Sequence, residues 1–198
     1  LSPQARGVVA FDLDGTLLRG PTICELLARP LGRVVEMQRF EGLSSERQIA
    51  AARLEMARWY QGHSPAQLCT ALESATWAPG AHKGVQLLRE RGVDVVIASI
   101  RHVWPRDKGP WLRQVSAELG VLPTRVAAVG DSGSDTDLLS AASLRFFVGL
   151  GVAPVLPRVN HRPGGNIAAI AREILDSWDA QQGAAADGQQ RARSNQPV

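Results

Sequence analysis

The chain has 198 residues, 44% of them hydrophobic and 21% charged, which is a globular composition long enough for one well-buried core and a small accessory unit. A formal charge of only +3, with the bases spread along the chain, argues against a nucleic-acid partner despite a sequence pI near 9.4. The longest apolar stretch, Phe146 to Leu156, is broken by Gly149, Gly151 and Pro154 and is too short to cross a bilayer, so the expectation is a soluble, cytoplasmic protein with no membrane partner.

Cys24 and Cys69 lack C-x-x-C spacing and read as buried thiols, not as a disulfide framework or zinc site. Lysine is rare: Lys83 and Lys108 are the only two among 22 basic residues, which draws attention to Lys108.

After a polar leader, Gly7 to Phe11 reads as a buried parallel strand that runs into Asp12-Leu13-Asp14-Gly15-Thr16. An extended chain repeats every two residues, so Asp12 and Asp14 are expected on one side, with Leu13 turned to the core. Gly15 permits close approach of a backbone N–H to a ligand, and Thr16 adds a hydroxyl.

The next sixty residues are helical in pattern. Thr22 can cap a helix carrying Ile23, Leu26 and Leu27 on one face. Ser45 with Gln48, and Ser64 with Gln67, both fit the capping box that opens a helix. Trp59, Tyr60 and Trp77 read as packing residues of this unit and its hinges, and Glu36 and Glu41 as a solvated face.

From Pro79-Gly80 onward, helices and strands alternate. A helix with Val85, Leu87 and Leu88 stops at Gly92 and feeds the strand Val93 to Ala98, with Ser99 at its end. Another helix, headed by Lys108, stops at Gly120 and leads into the strand Arg125 to Val129, whose tip is Gly130-Asp131-Ser132-Gly133-Ser134-Asp135. A short helix, a strand at Arg145 to Val148, a Pro/Gly-rich loop and a last helix near Asn166 to Trp178 complete the pattern. The expectation is an α/β fold: a Rossmann-like parallel core of residues 7–17 and 79–178, an inserted helical cap at 18–78 and a disordered tail at 179–198. His63, His82, His102 and His161 have no metal-ligand spacing.

Ligands of open parallel sheets bind beyond the carboxyl ends of the strands, so Asp12, Asp14, Ser99, Asp131 and Asp135 should converge there, with Lys108 between. Two like charges ~4 Å apart near a protein surface repel by about 4 kcal/mol, so such a group of carboxylates requires a cation. Oxygen-only ligands suit Mg²⁺, which favours phosphate-bearing substrates. Lys108, Ser99, Thr16 and N–H groups near Gly15 and Ile100 would then hold phosphoryl oxygens.

Phe11 to Thr16, Ser99 ending a hydrophobic strand, Lys108 heading a helix and Gly130 to Asp135 together resemble the four motifs of the haloacid dehalogenase-like (HAD) phosphohydrolases, over most of residues 7 to 150. The resemblance implies that Asp12 is the nucleophile and becomes an aspartyl-phosphate, and that Asp14 is the general acid and base. It implies Mg²⁺ held by Asp12, Asp131 and the Asp14 carbonyl, with Asp135 in support directly or through water. The expected activity is a phosphatase on a small-molecule phosphate ester. The rivals are a phosphotransferase or mutase on the same fold, or a non-catalytic phosphate-binding regulator.

The inserted helices resemble the cap of phosphoserine phosphatase-like members, and Glu25 and Arg53 are the candidate substrate contacts in it. Two departures stand out. Where phosphoserine phosphatases place an acidic residue for the substrate amine, this chain has Pro21. Only nine positions separate Ser99 from Lys108, whereas a parallel crossover needs a dozen or more residues. Either the protein lacks one edge strand or a βα unit of about 30 residues is missing from the sequence, and the abrupt change at Ile100-Arg101-His102 favours the second.

Overall fold

The computed structural model describes residues 6–43, 45–99 and 104–194. Contacts divide the chain into two units, Leu1–Leu17 with Trp77–Val198 and, separately, Leu18–Thr76.

The larger unit is built on a five-stranded parallel sheet of order β4-β1-β5-β6-β7. β1 (Gly7–Phe11) lies between β4 (Val93–Ile97) and β5 (Val126–Gly130), in register Val9 with Val95 on one side and with Ala127 on the other. β6 (Leu144–Phe147) and β7 (Val159–His161) extend the sheet beyond β5. Every residue of β1 and β5 is buried, as continuous Val/Ala runs in a strand covered on both faces require.

The two-residue strand period sorts the core into two layers. Val9, Phe11, Ala127 and Val129 face α5 (Ala81–Glu90) and α8 (Ile167–Ser194), whereas Val8, Ala10, Val126 and Ala128 face α6 (Lys108–Glu118) and α7 (Thr136–Ser140). Under the first turn of β1, a Cβ on Gly7 would come within 2.6 Å of the Trp178 ring, so only glycine lets that indole seat there.

The smaller unit contains α1 (Ile23–Ala28), α2 (Val34–Glu41), α3 (Glu46–Trp59) and α4 (Pro65–Leu72). Its core joins Cys24, Ala28 and Met37 to Met56 and Trp59, and Phe40 stacks on Trp59 at 5.3 Å between centroids. Leu18–Arg19 (β2) and Thr76–Trp77 (β3) pair as a separate two-stranded sheet.

Four local expectations change. The capping boxes at Thr22/Glu25 and Ser64/Gln67 form, but Ser45 opens α3 without any side-chain cap bond. The Pro/Gly-rich stretch contains β7, a strand too short to show a period of its own. α8 runs from Ile167 to Ser194, past the Trp178 at which the sequence pattern ended the last helix. Cys69 is exposed, and only Cys24 is buried. No described helix is long and apolar enough to cross a membrane.

Candidate active site

β1 ends at Phe11, and the chain turns at once: the Leu17 N–H donates to the Leu13 carbonyl at 3.0 Å. The Asp12 N–H still donates to the Val129 carbonyl at 2.9 Å, so pairing with β5 reaches Asp12 before the turn. Asp12 is buried and Asp14 half-buried. The turn depends on Gly15, whose φ is +84° and whose added Cβ would lie 2.2 Å from an Asp131 carboxylate oxygen. Both the backbone conformation and the space exclude a side chain there.

Asp131 follows β5, placed next to the Asp12 turn because β1 and β5 are paired neighbours. The fully buried Thr16 donates its hydroxyl to Asp131 Oδ1 at 3.1 Å. The short turn after β1 aims the Thr16 hydroxyl at the carboxylate that follows the neighbouring strand.

Asp135 is fully buried and divides its two oxygens. Oδ2 accepts the Asp131 N–H at 3.0 Å and the Ser132 N–H at 3.2 Å, and Oδ1 accepts from Lys108 Nζ at 2.6 Å. Gly130 makes room for it, since a Cβ there would lie 2.6 Å from the Asp135 Cβ. The capping box of Ser132 with Asp135 escaped the sequence reading, although Ser-x-x-Asp is its signature.

Lys108 heads α6 with no exposed surface, and its Nζ bridges Asp12 Oδ1 at 2.7 Å and Asp135 Oδ1 at 2.6 Å. The nine-residue separation from Ser99 does not keep it from the site. Burial works against its charge, but Asp135 and Asp12 outweigh burial and hold Lys108 above the ordinary lysine value. Burial and then the Asp135 charge push Asp12 up to about 7, against the opposing pull of Lys108.

Asp12, Asp131 and Asp135 each present an oxygen, and the three lie within 4.8 Å of one another. Such a set of hard oxygen donors, crowded enough to resist ionisation of Asp12, fits a small divalent cation. Ser99 is buried just beyond β4. Ile100 lies outside the described residues, as does His102. In the smaller unit, Glu25 is occupied by its capping box with Thr22 and by a 2.8 Å bond from Gln38, and Arg53 lies exposed on α3. His161 hydrogen-bonds the Gly149 carbonyl at 3.1 Å, and His82 packs on Trp77.

A parallel sheet carries Asp12 after one strand and Asp131 and Asp135 after its neighbour, with a buried lysine bridging Asp12 and Asp135. The fold is shared with solved phosphoserine phosphatase structures. The chain is similar to a phospho-aspartyl intermediate analogue of phosphoserine phosphatase, with a TM-score of 0.62 and 18% identity over 87% of this chain and 99% of that one. A substrate-bound phosphoserine phosphatase complex gives 0.63 and 18% over 88% and 99%. A probable phosphoserine phosphatase from Vibrio cholerae gives 0.63 and 17% over 89% and 67%. No family model matches the chain, and no curated protein matches it in sequence.

Proposed function

We propose that the protein is a Mg²⁺-dependent phosphatase that hydrolyses a small phosphate monoester through an aspartyl-phosphate on Asp12. The observation that supports it most is the Lys108 ammonium held against Asp12 beside two further carboxylates. A binding protein for phosphate has no need to crowd three carboxylates where an anion must sit, whereas a nucleophilic carboxylate needs its charge offset before a phosphoryl group can approach.

Asp12, Asp131 and Asp135 would hold Mg²⁺, with the Asp14 carbonyl as a further oxygen. When bound, the ion neutralises charge on the phosphoryl oxygens. An Asp12 oxygen attacks phosphorus, the P–O bond to the leaving group breaks, and the leaving oxygen takes a proton from Asp14. Asp14 then accepts a proton from water as that water attacks the aspartyl-phosphate, so phosphate departs and Asp12 is restored. Lys108 keeps Asp12 oriented and balances negative charge as it builds up. The similar structures, a phospho-aspartyl intermediate analogue and a substrate-bound complex of phosphoserine phosphatase, support the same chemistry by likeness.

The test is phosphate release from a generic aryl phosphate, then from a panel of phosphorylated metabolites, with and without Mg²⁺. Release that depends on Mg²⁺ and is abolished in Asp12→Asn is the expected result. Absence of release from every ester, or equal release by Asp12→Asn, overturns the reading.

A further inference from the structure

A lysine ammonium rides on a flexible four-carbon stem, so the direction of Lys108 Nζ is set by what it meets. It meets two carboxylate oxygens, Asp12 Oδ1 at 2.7 Å and Asp135 Oδ1 at 2.6 Å. The Asp135 end of that bridge must itself be fixed. The last torsion of an aspartate side chain is broad, so the rotamer leaves the plane of the carboxylate open and hydrogen bonds have to set it.

The fully buried Asp135 takes three donors on Oδ2 from the turn that precedes it: the Asp131 N–H at 3.0 Å, the Ser132 N–H at 3.2 Å and the Ser132 hydroxyl at 3.3 Å. Ser132 Oγ also lies 2.7 Å from Ser134 Oγ. A hydroxyl has one proton to give and an ionised carboxylate has none. With the Ser132 proton directed to Asp135, the Ser134 hydroxyl donates to Ser132, and a hydroxyl that accepts a hydrogen bond is polarised into a better donor. The order of donation is therefore Ser134 to Ser132, Ser132 to Asp135, and Lys108 to both Asp135 and Asp12.

We propose that Ser132 is a positioning residue, with Ser134 behind it: the two hydroxyls hold the Asp135 carboxylate in the plane that turns Oδ1 to Lys108, and thereby hold the ammonium against Asp12. The effect on turnover rests on the phosphatase reading given above, whereas the placement of Lys108 is a property of the folded chain.

The test uses the two lysines. Lys83 lies exposed on α5, so the full chain carrying isotope-labelled lysine gives one buried and one solvated ammonium signal in a magnetic resonance spectrum. At fixed pH the Lys108 ammonium protons should exchange slowly with water. Ser132→Ala should speed that exchange about fivefold, the factor one ordinary hydrogen bond is worth, and Ser134→Ala should do so by less, with Lys83 unmoved. On an aryl phosphate, Ser132→Ala should lower kcat about tenfold at unchanged KM, as loss of a supporting partner does, and Ser132→Thr, which keeps a hydroxyl, should restore both readouts. Thr136→Val serves as control: it deletes a 2.7 Å bond to the Gly133 carbonyl in the same turn without touching Asp135, and should alter neither. Unaltered Lys108 exchange in Ser132→Ala overturns the proposal, as does an unchanged kcat in an active enzyme. An equal response to Thr136→Val overturns it too, since that would mark only a loosened turn. If even the wild-type chain releases no phosphate, the phosphatase reading falls and the lysine exchange alone decides.

Discussion

Lys108 Nζ stands 2.7 Å from Asp12 Oδ1 with no solvent between them and water only at the carboxylate's margin, the lysine side chain being 0% and the aspartate 10% exposed. The pair is therefore part of the buried structure of the larger unit. Removing one partner of a buried ion pair costs about 3–5 kcal/mol, because the other charge stays behind unpaired.

Lys108→Met, which keeps the stem and deletes the charge, should lower kcat on an aryl phosphate by about 10²–10³-fold. It should also lower the urea midpoint of the metal-free protein, with part of that loss recovered when Mg²⁺ is added. Steady-state kinetics and denaturant unfolding check the two effects separately. An unchanged kcat would remove Lys108 from the chemistry.

The value of about 7 for Asp12 fixes a pH dependence. Mg²⁺ needs the ionised carboxylate, so its apparent affinity should rise about tenfold per pH unit up to near pH 7 and level off above. Calorimetric titration in buffers of different ionisation enthalpy should record close to one proton released per ion below that pH. In the metal-free state the folded value lies above the ordinary 3.8, so Asp12 contributes stability that is present below about pH 4 and is lost as pH rises through 7. The slope of thermal stability with pH over that window should be shallower in Asp12→Asn.

Thr16 donates its hydroxyl to Asp131 Oδ1 at 3.1 Å. Thr16→Val preserves shape and deletes the hydroxyl, so Mg²⁺ affinity should fall about 10–100-fold, as it does when the support of a metal ligand is removed. Calorimetry at saturating pH gives that affinity directly. An unchanged affinity would mean that Asp131 is held by its backbone alone.

Ser64 and Ser45 carry the same signature in the sequence, but only Ser64 accepts its cap bond, from the Gln67 N–H at 3.3 Å. Ser64→Ala should cost about 1 kcal/mol and Ser45→Ala almost nothing. Thermal unfolding of the two variants side by side makes the comparison.

The positions of Asp12 and Asp131 were legible in the sequence because each follows a hydrophobic strand at once, and a strand's end is marked by residue type and period. What each side chain touches was less legible. Thr16 donates to Asp131, a partner 115 positions away that the β1–β5 pairing brings near. Asp135 was read as metal support, but no residue pattern signals that one of its oxygens serves two backbone N–H groups while the other meets Lys108. β7 has three residues and exists through its pairing with β6, a non-local contact that leaves no local pattern.

The indole of Trp178 lies beneath Gly7, at the foot of the strand that carries Asp12, and is fully buried there. A helix near the close of the sequence thus completes the floor under a strand near its opening. During synthesis, the strand that carries Asp12 must wait for α8 to emerge before its packing is finished, a long-range closure of the kind that slows folding. Truncation before α8 should yield a nascent protein that stays open at this point, and loss of the Trp178 ring should delay refolding even where every acidic side chain is intact.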